Sequence, residues 1–243
     1  MKNLIKVLLL CAVFLASASQ SNAQVQVRIT TTIAPPVLRV YTQPFCPGDG
    51  YIWIPGYWAY GDDGYYWVPG VWVLPPAVDL YWTPGYWAFE NMLYVWYPGY
   101  WGASVGYYGG INYGFGYFGT GYIGGKWQNG RFYYNTAVNR INKNHIRNVY
   151  VDNVGIRKVA DNRPSFNGAG GVNYKSQPNE RRVETARQVQ PTQEQRTHDQ
   201  SAVKDKGQFS SQKNKPTTMS MDKVGGNRYK SNGRSSSKSS KRK

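Results

Sequence analysis

Short runs of aromatic and β-branched residues, each closed by glycine or proline, dominate the first half of this chain. Tyr51-Ile52-Trp53-Ile54, Tyr65-Tyr66-Trp67-Val68 and Leu93-Tyr94-Val95-Trp96 have the length of strands and not of helices. Their spacing is regular. Trp-x-Pro-Gly-x-Trp occurs at residues 53–58, 67–72, 82–87 and 96–101, with first tryptophans 14, 15 and 14 residues apart. That period is too short for a helical-repeat array and fits a small strand-and-turn unit. The pattern predicts a mainly β protein, with antiparallel aromatic-rich hairpins or a meander over residues 46–101.

Each unit allows two geometries. Pro55 presets φ for the first central position of a turn, and Gly56 accepts the positive φ of a type II turn at the second. As a two-residue hairpin loop this pair would set Trp53 against Trp58. Type II turns on L-proline have the wrong twist for tight hairpins, however. In the preferred alternative Pro-Gly kinks a longer strand, and polar gaps such as Gly61-Asp62-Asp63-Gly64 make the turns. Further on, Asn129-Gly130 is a hairpin signal that places Trp127 opposite Phe132.

Residues 24–45 read as an extended, proline-containing lead-in around Ala34-Pro35-Pro36. Residues 102–160 read as a glycine- and aromatic-rich β extension. Within it the alternation at 113–119 allows strand or coil, residues 137–142 suggest a helical turn, and residues 146–159 suggest a strand carrying Val149, Val151 and Val154. A module of roughly 110 residues is large enough to bury a core without staples. After Asp161, Gln, Ser, Asn, Lys and Arg replace the aromatics, which predicts a basic tail, mostly disordered, over residues 161–243. Short helices are expected inside it at 179–189 and 192–204, the second opened by the capping-box spacing of Thr192 and Gln195.

The ends of the chain set the compartment. Lys2 and Lys6, an apolar stretch over residues 7–16 and Ser21-Asn22-Ala23 form a secretory signal pattern, with cleavage expected after Ala23. The apolar stretch is too short to span a bilayer. Export to the periplasm, the outer-membrane surface or the extracellular space follows. Cys46 is then the one cysteine left, so no intramolecular disulfide can form; it reads as a half-buried thiol or as the bridge of a covalent dimer. Charge is segregated: residues 24–125 hold 2 basic and 5 acidic residues, while residues 126–243 hold 25 basic and 8 acidic ones.

The copies Trp53-Ile-Pro-Gly-Tyr-Trp58 and Trp96-Tyr-Pro-Gly-Tyr-Trp101 resemble the WxxGxW, or YXWGXW-repeat, family of small exported bacterial proteins. Residues 116–127 (GYFGTGYIGGKW), 132–138 (FYYNTAV) and 165–171 (SFNGAGG) are similar to that family's downstream segments, as is the polar stretch around Pro191-Thr192-Gln193. The resemblance covers roughly residues 46–220. It implies export and a bacterial envelope setting, and it implies no activity. The Ser/Lys/Arg end after Met221 departs from the family pattern.

Chemistry is sparse. His145 and His198 stand far apart without metal-ligand spacing, and Gly168-Ala169-Gly170-Gly171 lacks the lysine of a phosphate loop. No catalytic, cofactor or metal site is expected, and the chain reads as non-enzymatic. The repeat aromatics Trp53, Tyr57, Trp58, Trp67, Trp72, Trp82, Tyr86, Trp87, Trp96, Tyr100 and Trp101 are either the core of a thin sheet or platforms for the apolar faces of sugar rings. Most rings are assigned to the core, with Tyr57, Tyr86 and Tyr100 as the exposed faces. Arg228, Lys230, Arg234, Lys238, Lys241, Arg242 and Lys243 are the candidates for polyanion contact. The reading is an envelope structural or adhesive protein holding an anionic envelope polymer or polysaccharide, with a carbohydrate-binding module and a self-associating scaffold as alternatives. Export, and the separation of aromatic from basic segments, argue against nucleic acid.

Overall fold

The computed structural model describes residues 28–185, 188–210, 215–231 and 235–236. The signal pattern, and Arg234, Lys238, Lys241, Arg242 and Lys243 of the basic end, lie outside the described residues.

The protein is mainly β and antiparallel. After a short strand at Thr30–Thr31 (β1) the repeats supply eight strands. These are Ile52–Ile54 (β2), Tyr57–Gly61 (β3), Gly64–Val68 (β4), Gly70–Val73 (β5), Tyr81–Thr83 (β6), Tyr86–Glu90 (β7), Leu93–Tyr97 (β8) and Tyr100–Gly102 (β9). They make two long hairpins. In the first, β3 pairs with β4 near the turn and β2 with β5 beyond it. In the second, β7 pairs with β8 and β6 with β9. Pro55-Gly56 lies opposite Pro69-Gly70, and Pro84-Gly85 opposite Pro98-Gly99, so each hairpin is interrupted on both strands at one level. The Pro-Gly pair therefore bends a strand and does not turn the chain. Trp53 faces Trp72 and Trp58 faces Trp67, which replaces the pairing of Trp53 with Trp58.

The turns are the polar gaps. Asp62-Asp63 closes the first hairpin, with Gly64 at φ 98°. Asn91 (φ 49°) and Met92 (φ 66°) close the second with the two positive φ values of a type I′ turn. Asn129 and Gly130 do the same between Gly125–Gln128 and Arg131–Asn135, and Trp127 stands opposite Phe132 as expected. The 113–119 alternation is ordered as strands Asn112–Gly114 and Tyr117–Phe118. The strand expected over 146–159 is reduced to Val149–Tyr150, paired in parallel with Arg131–Asn135. Val151 and Val154 beyond it are exposed, and among the described residues no neighbouring strand covers them.

The lead-in is extended but not separate. Thr30–Thr31 adds an edge to β8, Leu38 bridges Arg163, and Leu38, Tyr41 and Gln43 are buried. The polar region after Asp161, expected to be mostly disordered, also contributes packed segments. Phe166–Asn167 pairs in parallel with β7. Helices form at Pro178–Thr185 (α1) and Gln193–Lys204 (α2), and Thr192 and Gln195 make the capping box in both directions. Ser220–Met221 runs parallel to β5, and Arg228–Tyr229 pairs antiparallel to it on the outside. These segments attach through buried Phe166, Ala202, Met219 and Met221 and through backbone and amide hydrogen bonds. Gly70 N donates to Met219 O, and the Gln208 side-chain amide donates to Trp67 O and Thr218 O. Composition does not register that kind of attachment. Among the described residues no helix is long and apolar enough to cross a membrane.

Candidate functional site in the aromatic repeats

The four motif copies meet as two equivalent clasps. Each hairpin holds two tryptophan pairs across its ladder, with ring centroids 5.3 Å apart for Trp53 and Trp72, 5.2 Å for Trp58 and Trp67, 5.3 Å for Trp82 and Trp101 and 5.3 Å for Trp87 and Trp96. Inclined rings at this distance contribute roughly 0.5–1.5 kcal/mol per pair beyond their burial. The motif glycine explains the rest of the signature. None of Gly56, Gly70, Gly85 and Gly99 takes a positive φ, so none is required by a type II turn. What each lacks is a Cβ. A carbon placed on Gly70 would lie 2.5 Å from Trp53 Cζ2, and one on Gly85 would lie 2.5 Å from Trp96 Cζ2. The same indole edge, from Trp67 and from Trp82, covers Gly56 and Gly99. The first tryptophan of each copy thus lies over the glycine of the copy it is paired with, and the relation is reciprocal.

The indole N–H groups of Trp58, Trp67, Trp72, Trp87 and Trp101 tie this box to the surrounding chain, whereas that of Trp53 is buried without a partner among the described residues. Trp87 Nε1 donates to Trp58 O at 2.8 Å and joins the two hairpins. Trp72 donates to Pro44 O at 3.0 Å, Trp67 to Met219 O at 3.0 Å and Trp101 to Gln195 Oε1 at 2.7 Å. The last acceptor is the capping-box glutamine, whose Oε1 also accepts from Thr192 N at 2.9 Å. Its role in helix capping is legible in the sequence; its grip on Trp101 is not.

Trp53, Trp58, Trp67, Trp72, Trp82, Trp87 and Trp101 are buried, at 5% exposure or less. Trp96, Tyr57 and Tyr86 are half-buried, and their neighbours cover the ring faces. Tyr57 stacks on one side of Trp96 at 5.3 Å, and Trp87 packs against the same indole at 5.3 Å. Tyr86 stacks on Tyr97 at 4.9 Å and lies against the backbone of Gly109. Tyr100, expected on the exposed face, is buried at 8%, because the chain at Gly106 folds over its hydroxyl end. A sugar needs one open aromatic face, and these rings use their faces on one another.

Between the hairpins the four motif prolines, Pro55, Pro69, Pro84 and Pro98, line a cleft of about 170 Å³ that α2 covers. Its polar groups are already engaged. His198 Nε2 lies 2.7 Å from Pro69 O, and burial pushes the imidazole pKa down. Asp199 accepts from the Tyr66 hydroxyl at 3.1 Å, and burial pushes its carboxyl up. Arg196 donates to Gln193 Oε1 and Pro191 O. The cleft is a seam between packed elements. Cys46 is 6% exposed, and burial pushes its thiol up to about 12, so neither a nucleophile nor a bridge to a second chain is presented there.

Of the polyanion candidates, Arg228 lies in a strand and pairs with Asp205 at 2.7 Å, so it is not a free tail charge. Lys230 is exposed.

Comparison with known proteins agrees with the motif. The family model of the WXXGXW repeat matches residues 48–73 in two copies, so this stretch of the chain carries the repeat. No curated protein and no solved structure matches it.

Proposed function

We propose that this chain is an exported, non-enzymatic structural or adhesive protein of the bacterial cell envelope. In this reading the repeats build a rigid aromatic scaffold, and the cationic surface and C-terminal end hold an anionic envelope polymer or polysaccharide. One observation carries it: the repeat aromatics are consumed by packing on one another, so recognition falls to charge. Lys and Arg number 29 against 13 Asp and Glu, a formal net charge of +16, and the excess lies after residue 126. The signal pattern at residues 1–23 supports export.

The test is binding of the mature chain, from residue 24, to an immobilised acidic polysaccharide and to a neutral one. Contacts of this type release counterions, so affinity for the acidic polymer should fall at least tenfold between about 50 and 200 mM salt. Deleting residues 232–243 should remove most of the binding. Salt-insensitive capture of the neutral glycan would replace this reading with the carbohydrate-binding one. Concentration-dependent assembly without either polymer would favour the self-associating scaffold.

A further inference from the structure

Away from the repeats, the lead-in, the Asn112–Gly114 region and the segment around residues 156–163 enclose a second cavity, of about 260 Å³. Its floor is apolar and includes Tyr41, Phe115 and Phe118. Its charged lining is three arginines, Arg39, Arg157 and Arg163, with no carboxylate among the residues that line it. Arg163 is the unusual member, at only 8% exposure. Its Nε donates to Asn112 O at 2.8 Å, Nη1 to Ala160 O, and Nη2 to Arg39 O at 3.5 Å. A guanidinium has five donors, so these three bonds leave two. Among the described residues no carboxylate forms an ion pair with it. Asp161, close by in sequence, accepts instead from Val40 N at 2.7 Å.

Burying a cation whose hydrogen bonds go only to carbonyls is expensive, because carbonyl dipoles replace its water without neutralising its charge, and Asp161 acts on it only from beyond ion-pair distance. Desolvation accordingly lowers the pKa of Arg163. Arg39 engages Asn162 at 2.6 Å on the outer side, and Arg157 is exposed and makes no hydrogen bond or ion pair among the described residues. Three planar, permanently charged forks around an aromatic floor match an oxyanion attached to an apolar body.

We propose that this cavity binds a small amphiphilic anion, a carboxylate or phosphate on an apolar stem, with the oxyanion among Arg39, Arg157 and Arg163 and the stem against Tyr41, Phe115 and Phe118. The site is separate from the basic tail and stands or falls independently of the polymer binding proposed above.

Calorimetric titration of the mature chain with octanoate, octyl phosphate, 1-octanol and inorganic phosphate tests it. At least one of the two octyl anions should saturate at one per chain, and the tighter of them identifies the headgroup. Octanol and inorganic phosphate should each bind at least tenfold more weakly. Arg157→Gln, at an exposed position, should weaken the anion at least tenfold and leave the melting temperature unchanged. The proposal is overturned if neither octyl anion saturates, if octanol or inorganic phosphate binds as tightly, or if R157Q binds like the native chain.

Discussion

Gly70 is the position at which the steric account of the repeat is most exposed to test. Glycine is there because an indole occupies the space of a side chain, and not because the backbone needs a left-handed φ. In Gly70→Ala the new methyl would lie 2.5 Å from Trp53 Cζ2, 2.8 Å from the Tyr41 hydroxyl and 3.0 Å from Gly56 N. Carbon atoms in contact prefer about 3.5–4.0 Å, so something must move by about an ångström. Trp53 is fully buried and held by Trp72 at 5.3 Å and Phe115 at 5.6 Å, and the opposite wall is backbone. Overpacking of this kind costs about 1–3 kcal/mol, and with no yielding neighbour we expect the upper end. A Gly→Ala change at an open, ordinary φ would instead stabilise by about 0.4–1 kcal/mol.

The assay is thermal unfolding of native, G70A and G70N proteins. For a fold of this size 1 kcal/mol moves the midpoint by roughly 2–4 °C, so G70A should melt about 5–10 °C lower. Asparagine separates the two explanations, because it tolerates positive φ better than alanine but is larger. The steric account orders stability as Gly, then Ala, then Asn; a conformational requirement would order it as Gly, then Asn, then Ala. Trp53→Leu made in the G70A background should cost less than Trp53→Leu alone, since the shorter side chain relieves the clash. G70A within 0.5 kcal/mol of the native protein, or G70N more stable than G70A, would refute the reasoning.

Met92 holds φ 66° in an exposed type I′ turn, so Met92→Gly should raise stability by about 1 kcal/mol in denaturant titration. Gln195→Ala removes the acceptor of the buried Trp101 N–H together with half of the capping box, and should cost about 1–3 kcal/mol in the same measurement. His198 is neutral in the fold and its pKa is depressed below 6.5, so the unfolded chain binds the proton first. Its contribution is present above about pH 6.5 and is lost as pH falls through the folded value. Asp199 is shifted upward from 3.8 and acts with the opposite sign, but it is common to both proteins, so a His198→Gln comparison from pH 7.5 to 5.5 isolates the histidine as a flattened stability profile. Cys46 should resist iodoacetamide at pH 8 in the native protein and react once denatured.

The sequence made the unit legible and left its partner hidden. Aromatic runs bounded by glycine and proline mark strands whatever they pair with, and Asn129-Gly130 and the Thr192 and Gln195 spacing carry their own local geometry. The pairing of Trp53 with Trp72 is different, because the motif is nearly symmetric. A tryptophan five residues from another invites an intra-unit pair, and only the twist of L-proline turns argues against it. Gly56 was equally ambiguous, since glycine is selected by positive φ and by close approach alike, and one sequence does not separate these causes. The burial of Tyr100 and the packing of segments after Asp161 are illegible in the sequence for another reason. Their burial depends on a loop at Gly106 and on hydrogen bonds to Trp67, Gly70 and Trp101, which leave no periodic trace.

Reciprocity has a consequence for how many repeats such a chain can carry. Each first tryptophan needs the glycine of another copy, and each glycine needs another copy's tryptophan, so the closed unit is a hairpin of two motifs. A lone motif would leave a large indole and a bare stretch of backbone facing solvent. Two motifs satisfy each other, and four make two hairpins that then join through Trp87 Nε1 and Trp58 O and through the stacked Tyr57 and Trp96. An odd copy would have no glycine to cover, and its exposed tryptophan would be an adhesive edge for a second chain. Deleting residues 82–87 to leave three copies should therefore produce aggregation or dimers, whereas this four-copy chain closes its tryptophan pairs internally.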